Sequence, residues 1–121
     1  MENFIVSFTA QPGKEDIIAK FYTELQPEYD AAKGFHGRQI YQARPGTMAD
    51  ALRKVMTPEQ MAQHPEPEAD GSVHFIIIEK WASIEDRMAF SATQDKSRNA
   101  ELFPNLKPAH SHEYYTDITP K

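Results

Sequence analysis

The sequence predicts an α+β fold of the ferredoxin-like type, with the element order β-α-β-β-α-β. Two observations predict it. Four short segments have the alternating or continuous apolar residues that are typical of strands, and two longer segments carry apolar residues at helical spacing. In this arrangement the four strands form one antiparallel sheet, and both helices lie on the same face of it.

The first half of this fold is a strand, a helix and a second strand. The strand is predicted over 3–9, where apolar residues occupy every second position. A helix is predicted over 14–33, and Pro27 should kink or split it, because proline removes an amide donor and clashes with the preceding turn. Gly34 is a typical residue at a helix end, and the pattern becomes extended again over 35–44.

A long connection, residues 45–72, separates the second predicted strand from the third. Connections between strands are usually much shorter, so we treat this segment as an insertion. It contains two helical pieces, 48–55 and 58–63, and the second begins with the capping residues Thr57 and Gln60. Its methionines give it an apolar side. We expect the insertion to act as a lid over a ligand site or as an arm that reaches a second subunit.

The second half of the fold is a strand over 73–81, a helix over 83–94 and a last strand over 109–118. Ser83 and Asp86 form a capping signature at the start of the helix. The strand over 73–81 contains the run HFIIIEKW, which places apolar side chains on both of its faces. Helices cover only one face of such a sheet. The other would be an exposed apolar patch, which predicts a homodimer in which a second copy covers it.

Composition limits the possible classes of protein. A chain of 121 residues is long enough for one domain, residues 1–121, with its own core. It has no cysteine, which excludes disulfides, thiolate metal sites and a thiol nucleophile. The net charge of −5 argues against a nucleic-acid partner. The apolar start is too short for a signal peptide or a membrane span, so we expect a cytoplasmic protein with no membrane partner.

Three motifs resemble those of the antibiotic biosynthesis monooxygenase (ABM) domain family. They are FIVSFTAQPGKEDIIAKFY, a first strand that ends in a Pro-Gly-Lys turn; GFHGRQIYQAR, with its Gly-x-x-Gly; and IIIEKWASIEDRMAF, with Glu-x-Trp-x-Ser leading into a helix. The resemblance covers about residues 3–44 and 73–117 and leaves the insertion outside. It implies a dimeric α/β barrel in which two sheets face each other, with a ligand cleft between the sheet and the helices of each subunit.

Two histidines are the candidate catalytic residues. His110 and His112 lie two positions apart on the last strand and therefore on the same face of the sheet. An imidazole exchanges protons readily near neutral pH, which suits a general base. A metal site is not expected, since His74, the next candidate ligand, would lie two strands away. The alternative for either histidine is a surface residue with no catalytic role.

Candidate substrate contacts come from the same resemblance and from the apolar pattern. Trp81 matches the tryptophan of the third motif, and it either fills the core or lines the cleft and donates its indole N–H to a ligand oxygen. Arg87 is a candidate cation on the helix over 83–94, unless it pairs with a neighbour such as Glu85. The predicted wall of the cleft is completed by Phe75, Ile77, Phe90, Phe21 and Tyr22.

The leading functional hypothesis is a monooxygenase that oxidises a hydroxylated aromatic or quinol-type small molecule with dioxygen and no cofactor. The resemblance implies this chemistry, while the haem-degrading branch of the family is set aside because Lys96–Glu101 lacks its ligating histidine. Two alternatives remain open. One is an isomerase or lyase that acts on a small carbonyl compound, and the other is a non-catalytic ligand-binding or stress-response protein of the same fold.

Overall fold

The computed structural model describes residues 1–63, 65 and 69–121. Its strands are β1 (Glu2–Ala10), β2 (Phe35–Gln42), β3 (Val73–Trp81) and β4 (Leu106–Tyr115). Its helices are α1 (Glu15–Glu24), α2 (Gln26–Asp30), α3 (Thr47–Arg53), α4 (Pro58–Gln63), α5 (Ile84–Thr93) and α6 (Asn99–Leu102), with two 3-10 turns at Lys96–Arg98 and Phe103–Asn105. Within the described residues, no helix combines the length and apolar character that a membrane crossing requires.

The four strands form one antiparallel sheet in the order β2-β3-β1-β4, which confirms the predicted ferredoxin-like fold. Val6 on β1 lies opposite Ile77 on β3 and His112 on β4. Side chains alternate between the faces of a sheet, so this register determines which residues share a face. Phe8, Phe75 and the other residues in step with Val6 and Ile77 face the helices.

Two apolar clusters fill the space between the sheet and the helices. One contains Phe8, Ile18 and Phe75, and its buried members extend to Leu102 of α6. The other contains Phe4, Tyr29, Trp81 and Phe90. The second cluster is almost entirely aromatic, and it anchors α2 and α5 to the end of the sheet where β3 finishes.

Pro27 divides the first helical segment, as the sequence predicts. α1 ends at Glu24 and α2 begins at Gln26, with the proline in its first turn, where a missing amide donor is tolerated. The break turns α2 so that Tyr29, with only 5% of its surface exposed, enters the aromatic cluster.

The last strand begins three residues earlier than predicted, at Leu106 rather than residue 109. The additional residues include Pro108, and a proline cannot donate a hydrogen bond within a sheet. β4 is an edge strand, however, and an edge strand accepts a proline whose nitrogen faces away from its neighbour. Pairing with β1 continues to Ala10 and Leu106 across an irregularity in the register.

The insertion stands away from the core. None of the described residues in α3 and α4 is buried. The predicted cap is confirmed, because the Thr57 amide donates to Gln60 Oε1 at 2.9 Å and the Gln60 amide donates to Thr57 Oγ1 at 3.2 Å. An ion pair of 2.6 Å between Asp70 and Lys107 ties the end of the insertion to β4. Residues 64 and 66–68, in its acidic loop, lie outside the described residues.

The sheet face opposite the helices, which we call the open sheet face, carries both apolar and polar side chains. Ile76 is 39% exposed and Tyr41 is 51% exposed there, and Ile5 and Ile78 are half-buried. Short polar contacts surround them, including one of 2.5 Å between the Ser7 and Ser111 hydroxyls. The structure thus confirms that β3 has apolar side chains on both faces.

Gly34 allows the chain to turn from α2 into β2, which gives a test of the fold. Its φ is +82°, and a Cβ at this position would lie 2.2 Å from Asp86 Oδ2. We expect Gly34→Ala to lower the free energy of unfolding by about 1–2 kcal/mol for the left-handed conformation and by about 1–3 kcal/mol more for the displaced Asp86 side chain. Urea denaturation followed by circular dichroism measures this loss in the free energy of unfolding.

Gly13→Ala is the matched control for this substitution. Gly13 has a similar φ of +78°, but a Cβ there would meet no atom within 4 Å. The Gly13→Ala variant should therefore lose only the about 1–2 kcal/mol of unfolding free energy that comes from the left-handed conformation. Equal losses in the two variants would show that the approach of α5 to Gly34 does not constrain the fold.

Candidate functional site

A cavity of about 820 Å³ lies between the helix-facing side of the sheet and α5. Its floor consists of β1, β3 and β4, and its other walls come from α1, α2, α5, α6 and the turn that follows α6. The side chains from β1 and β4 that line it include Phe4, Val6, Phe8, His110, His112 and Tyr114. A cavity of this size is typical of small-molecule sites.

Both candidate catalytic histidines line the cavity. His110 lies opposite Phe8 and His112 opposite Val6, so both imidazoles are on the helix-facing side of the edge strand. Their ring centroids are 5.9 Å apart, and that of His112 is 6.3 Å from Phe4. His110 Nδ1 also lies 3.0 Å from the carbonyl oxygen of Pro108. The sheet register therefore brings two proton-exchanging groups to an aromatic wall.

A metal ion does not fit this arrangement. His74 lies on the open sheet face, where its Nδ1 is 2.9 Å from Thr9 Oγ1, so it cannot join the other two histidines. Across residues 1–63, 65 and 69–121, no group of three or more His, Cys, Asp and Glu side chains is arranged to hold a metal.

Glu79 is a site residue that the sequence reasoning missed. Its carboxylate faces the helices with only 1% of the residue exposed, yet it lines the cavity. Three donors surround it: Tyr29 Oη at 3.0 Å, Trp81 Nε1 at 2.8 Å and Arg87 Nε at 2.7 Å. The sequence did contain a signal, since Glu79 shares the strand phase of the buried Ile77. A charged residue in that phase requires a buried partner.

Arg87 is that partner, rather than a helix arginine paired with Glu85. Its side chain is 12% exposed and forms an ion pair with Glu79. A second hydrogen bond joins its Nη1 to Ser91 Oγ one turn along α5. The guanidinium carbon lies 4.5 Å from the centroid of the Phe4 ring, where a cation is attracted to the aromatic face.

Two tyrosines, Tyr22 and Tyr114, are among the residues that line the cavity. Burial raises the pKa of Tyr22 to about 12, and the nearby Glu79 charge contributes to the same shift. Burial likewise raises the pKa of Tyr114. The Tyr114 hydroxyl is buried and has no hydrogen-bond partner within the described part of the chain. Both phenols therefore remain protonated at neutral pH.

The predicted substrate contacts divide into two groups. Ile77, Tyr22 and Arg87 line the cavity together with the histidines. The others lie outside the cavity lining, because the core or a separate groove encloses them. Phe75 and Phe90 are buried within the two apolar clusters, and Phe21 borders a groove on the far side of α1.

Trp81 also lies outside the cavity. It is 0% exposed, and its indole N–H donates to Glu79 instead of a ligand oxygen. The ring is enclosed by aromatic neighbours, with centroid distances of 5.3 Å to Phe35 and 5.4 Å to Phe90. Of the two roles considered for this tryptophan, the structure supports the core role.

The insertion does not form a lid over this cavity. None of its described residues is among those that line the cavity, and the cover comes instead from Asn99, Leu102 and Phe103, next to the start of β4. The lid expectation is therefore wrong for the described residues. Phe103 is 62% exposed and is the bulkiest side chain of that cover.

Substitution of Glu79 tests the buried ion pair. Glu79→Ala leaves the Arg87 guanidinium buried without a counter-charge, and we expect a loss of about 3–5 kcal/mol in the free energy of unfolding. The double variant Glu79→Leu/Arg87→Met should recover most of it, because it removes both charges. Glu85→Ala, on the exposed side of α5, is the control. If Glu79→Ala were no less stable than this control in urea, the ion pair would not stabilise the packing of α5 on β3.

Known structures share this architecture over nearly the whole chain. A putative antibiotic biosynthesis monooxygenase from Nitrosomonas europaea has a TM-score of 0.65 at 12% identity, with 98% of this chain and 100% of that one covered. A putative antibiotic biosynthesis monooxygenase from Caulobacter crescentus has a TM-score of 0.63 at 16% identity, with 98% of this chain and 90% of that one covered. SnoaB, a cofactor-independent oxygenase from Streptomyces nogalater, has a TM-score of 0.59 at 13% identity, with 98% of this chain and 94% of that one covered.

No protein-family model and no curated protein sequence matches the chain. At identities this low, structural similarity shows a shared fold and does not transfer an activity. The four-stranded sheet with helices on one face was predicted from the spacing of apolar residues, and the resemblance to this family from three sequence motifs. The chain has the fold of the antibiotic biosynthesis monooxygenase domains.

Proposed function

We propose that the protein is a cofactor-independent monooxygenase that oxidises a hydroxylated aromatic or quinol-type small molecule. The observation that carries the proposal is the placement of His110 and His112 on the cavity side of β4, with the His112 ring beside the Phe4 ring. A base next to a flat aromatic wall suits removal of a proton from a bound aromatic substrate. The similarity in fold to SnoaB, a cofactor-independent oxygenase, supports the same chemistry.

The proposed reaction needs only the substrate and dioxygen. A histidine removes a proton from an activated methylene beside the phenolic ring, which leaves a delocalised carbanion. The carbanion gives electrons to dioxygen and bonds to it, forming a peroxide at that carbon. Loss of the second proton and cleavage of the O–O bond then release water. The CH₂ group becomes C=O, so the substrate supplies all four electrons that reduce the two oxygen atoms.

The cavity walls support these steps. Phe4, Val6, Phe8 and Ile77 provide apolar surface against a flat ring. Tyr114 and Arg87 provide donors for a ligand oxygen at the end of the cavity near Glu79. His112 lies between the ends of the cavity, and we assign it the role of base.

Oxygen consumption tests the activity. With anthrone and naphthol-type substrates, we expect one dioxygen consumed for each carbonyl formed and no accumulation of hydrogen peroxide. His112→Ala should lower kcat by about a hundredfold to ten-thousandfold, the usual contribution of a general base. His36→Ala, exposed on β2, should leave kcat unchanged. Turnover of the same substrates without oxygen would contradict the monooxygenase proposal and favour an isomerase or lyase.

We further propose that the open sheet face is the interface of a homodimer. Ile76 and Tyr41 are exposed there beside the half-buried Ile5 and Ile78, and a second copy would remove all four from water. The insertion follows β2 directly, and its position away from the core leaves it able to reach the partner as an arm. A dimer of this kind would place the two sheets face to face and both cavities on the outside.

Light scattering tests the dimer. We expect roughly twice the chain mass at micromolar concentration, as for other two-fold dimers. Ile76→Asp should give monomers or unfolded chains, because a carboxylate buried at the interface cannot be hydrated. Ile84→Asp is the control, since Ile84 is 42% exposed on α5, away from the open sheet face. A monomeric unmodified chain would refute the interface.

A further inference from the structure

The ring of His110 is oriented by a contact with its own strand. Its Nδ1 lies 3.0 Å from the carbonyl oxygen of Pro108, and within the described residues this is the one hydrogen bond of the ring. A carbonyl oxygen only accepts hydrogen bonds, so Nδ1 carries the proton and donates it. In the neutral ring the lone pair is then on Nε2. His110 therefore presents Nε2 as a proton acceptor.

An irregularity in the pairing of β4 makes the Pro108 carbonyl available for this contact. Phe8 pairs with His110 and Ala10 pairs with Leu106, so β4 has extra residues between two positions that are close together on β1. Pro108 lies among these extra residues and has no paired residue on β1. Such irregularities turn backbone groups and side chains away from their regular directions. The carbonyl oxygen of Pro108 can therefore accept the imidazole proton.

His112 has no comparable contact. It pairs regularly opposite Val6, and its ring makes no hydrogen bond within the described part of the chain. Both histidines line the cavity, and their ring centroids are 5.9 Å apart. This separation is compatible with a ligand carbon at about 3–3.5 Å from one nitrogen of each ring, the distance at which bound groups react. Two imidazoles can thus act on the same carbon.

The charged groups of the cavity wall have other partners. The ionised side chains among the lining residues are Glu79, Arg87, Lys107 and Glu113. Glu79 and Arg87 form an ion pair with each other. Lys107 pairs with Asp70 at 2.6 Å, and Glu113 accepts a hydrogen bond from the Tyr114 amide. Across residues 1–63, 65 and 69–121, none of these groups forms a hydrogen bond with either imidazole, so the Pro108 contact determines the tautomer of His110.

Arg38 adds a positive charge on the opposite edge of the sheet. It lies next to Glu79 in the register of β2 and β3, and it does not line the cavity. Its Nε and Nη2 donate to Gln26 and to the Tyr22 carbonyl, while its Nη1 is buried without a partner among the described residues. Burial raises the pKa of Tyr22 and of Tyr29, and the Arg38 charge opposes part of that rise. β2 and β4 are the two edges of the sheet, so Arg38 acts on these tyrosines and forms no hydrogen bond with the histidine rings.

We infer that His110 is a second proton acceptor in the cavity, with its lone pair fixed on Nε2 by the Pro108 carbonyl. The inference rests on the proposed function, in which two protons leave the same carbon. His112 takes the first of them and His110 takes the second. A ring with a fixed tautomer needs no rearrangement before it accepts a proton, which favours the transfer.

The balance of protons and electrons assigns each step. After the carbanion has bonded to dioxygen, the His112 imidazolium returns its proton to the outer peroxide oxygen and then faces the new O–H group. Nε2 of His110 takes the proton that remains on the carbon. The C–H electron pair forms the second C–O bond, and the O–O bond breaks with departure of hydroxide. Hydroxide takes the proton from His110 and leaves as water, so both rings end neutral.

The tautomer of His110 can be measured without any substrate. NMR of the nitrogen-labelled, full-length protein, recorded about two pH units above the ordinary histidine pKa, distinguishes the two neutral forms of each ring. We expect the proton of His110 on Nδ1. His36, which is exposed on β2, is the reference and should show the Nε2–H form that an unconstrained histidine prefers. A His110 ring protonated on Nε2 would overturn the inference.

His110→Asn separates proton transfer from the shape of the strand. An asparagine amide can still donate to the Pro108 carbonyl from about the position of Nδ1, but it has no basic nitrogen. In a single turnover of anthrone, we expect oxygen uptake at the unmodified rate and formation of the carbonyl product slowed by about a hundredfold or more, with a hydroperoxide accumulating. An oxygen electrode and the absorbance of the product follow the two events separately.

Two further variants complete this experiment. His112→Ala should slow oxygen uptake and carbonyl formation equally, because His112 acts before dioxygen, and His36→Asn should change neither rate. Carbonyl formation at the unmodified rate in His110→Asn would overturn the inference, and so would an equal loss of both rates. Absence of oxygen uptake by the unmodified protein would instead contradict the proposed function, and the NMR measurement would still decide whether His110 is a fixed acceptor.

Discussion

The buried ion pair between Glu79 and Arg87 is the constraint on which the rest of the structure depends. It joins the end of the central strand β3 to the first turns of α5, with a Nε to Oε1 distance of 2.7 Å. A carboxylate removed from water so completely is stable only when its oxygens are paired. Tyr29 and Trp81 supply the remaining hydrogen bonds, so one anion determines the positions of three elements: β3, α2 and α5.

The ion pair between Glu79 and Arg87 also explains where the cavity lies. The aromatic cluster of Phe4, Tyr29, Trp81 and Phe90 packs α5 firmly at the end of the sheet where β3 finishes. Toward the edge strand β4, the space under α5 is open and is lined by His110, His112 and Tyr114. The packed end holds the donors in fixed positions, while the edge strand supplies the proton-exchanging groups. In the proposed function, ligand binding and proton transfer belong to different parts of this cavity.

The two sides of the sheet have separate roles in the proposed assembly. The helix-facing side contains the core and the cavity, and the open sheet face carries Ile76 and Tyr41. Alternate residues of each strand point to opposite sides of the sheet. One residue can therefore serve the cavity while the next residue along the strand serves the proposed interface. Tyr114 and Tyr115 illustrate this, since one lines the cavity and the other lies on the open sheet face.

The sequence by itself determined the order of the elements, the division of the first helix at Pro27 and the placement of His110 and His112 on one common face. These follow from local properties: side-chain alternation, helical periodicity and the missing amide of proline. Only the tertiary structure decided the start of β4, the place of the insertion and the burial of Trp81 and Glu79. A residue's partners come from distant parts of the chain, as when Tyr29 meets Glu79, and local patterns carry no information about such contacts. Trp81, for which the sequence allowed a core role or a ligand contact, is part of the core, while a glutamate that interrupts an apolar run lines the cavity.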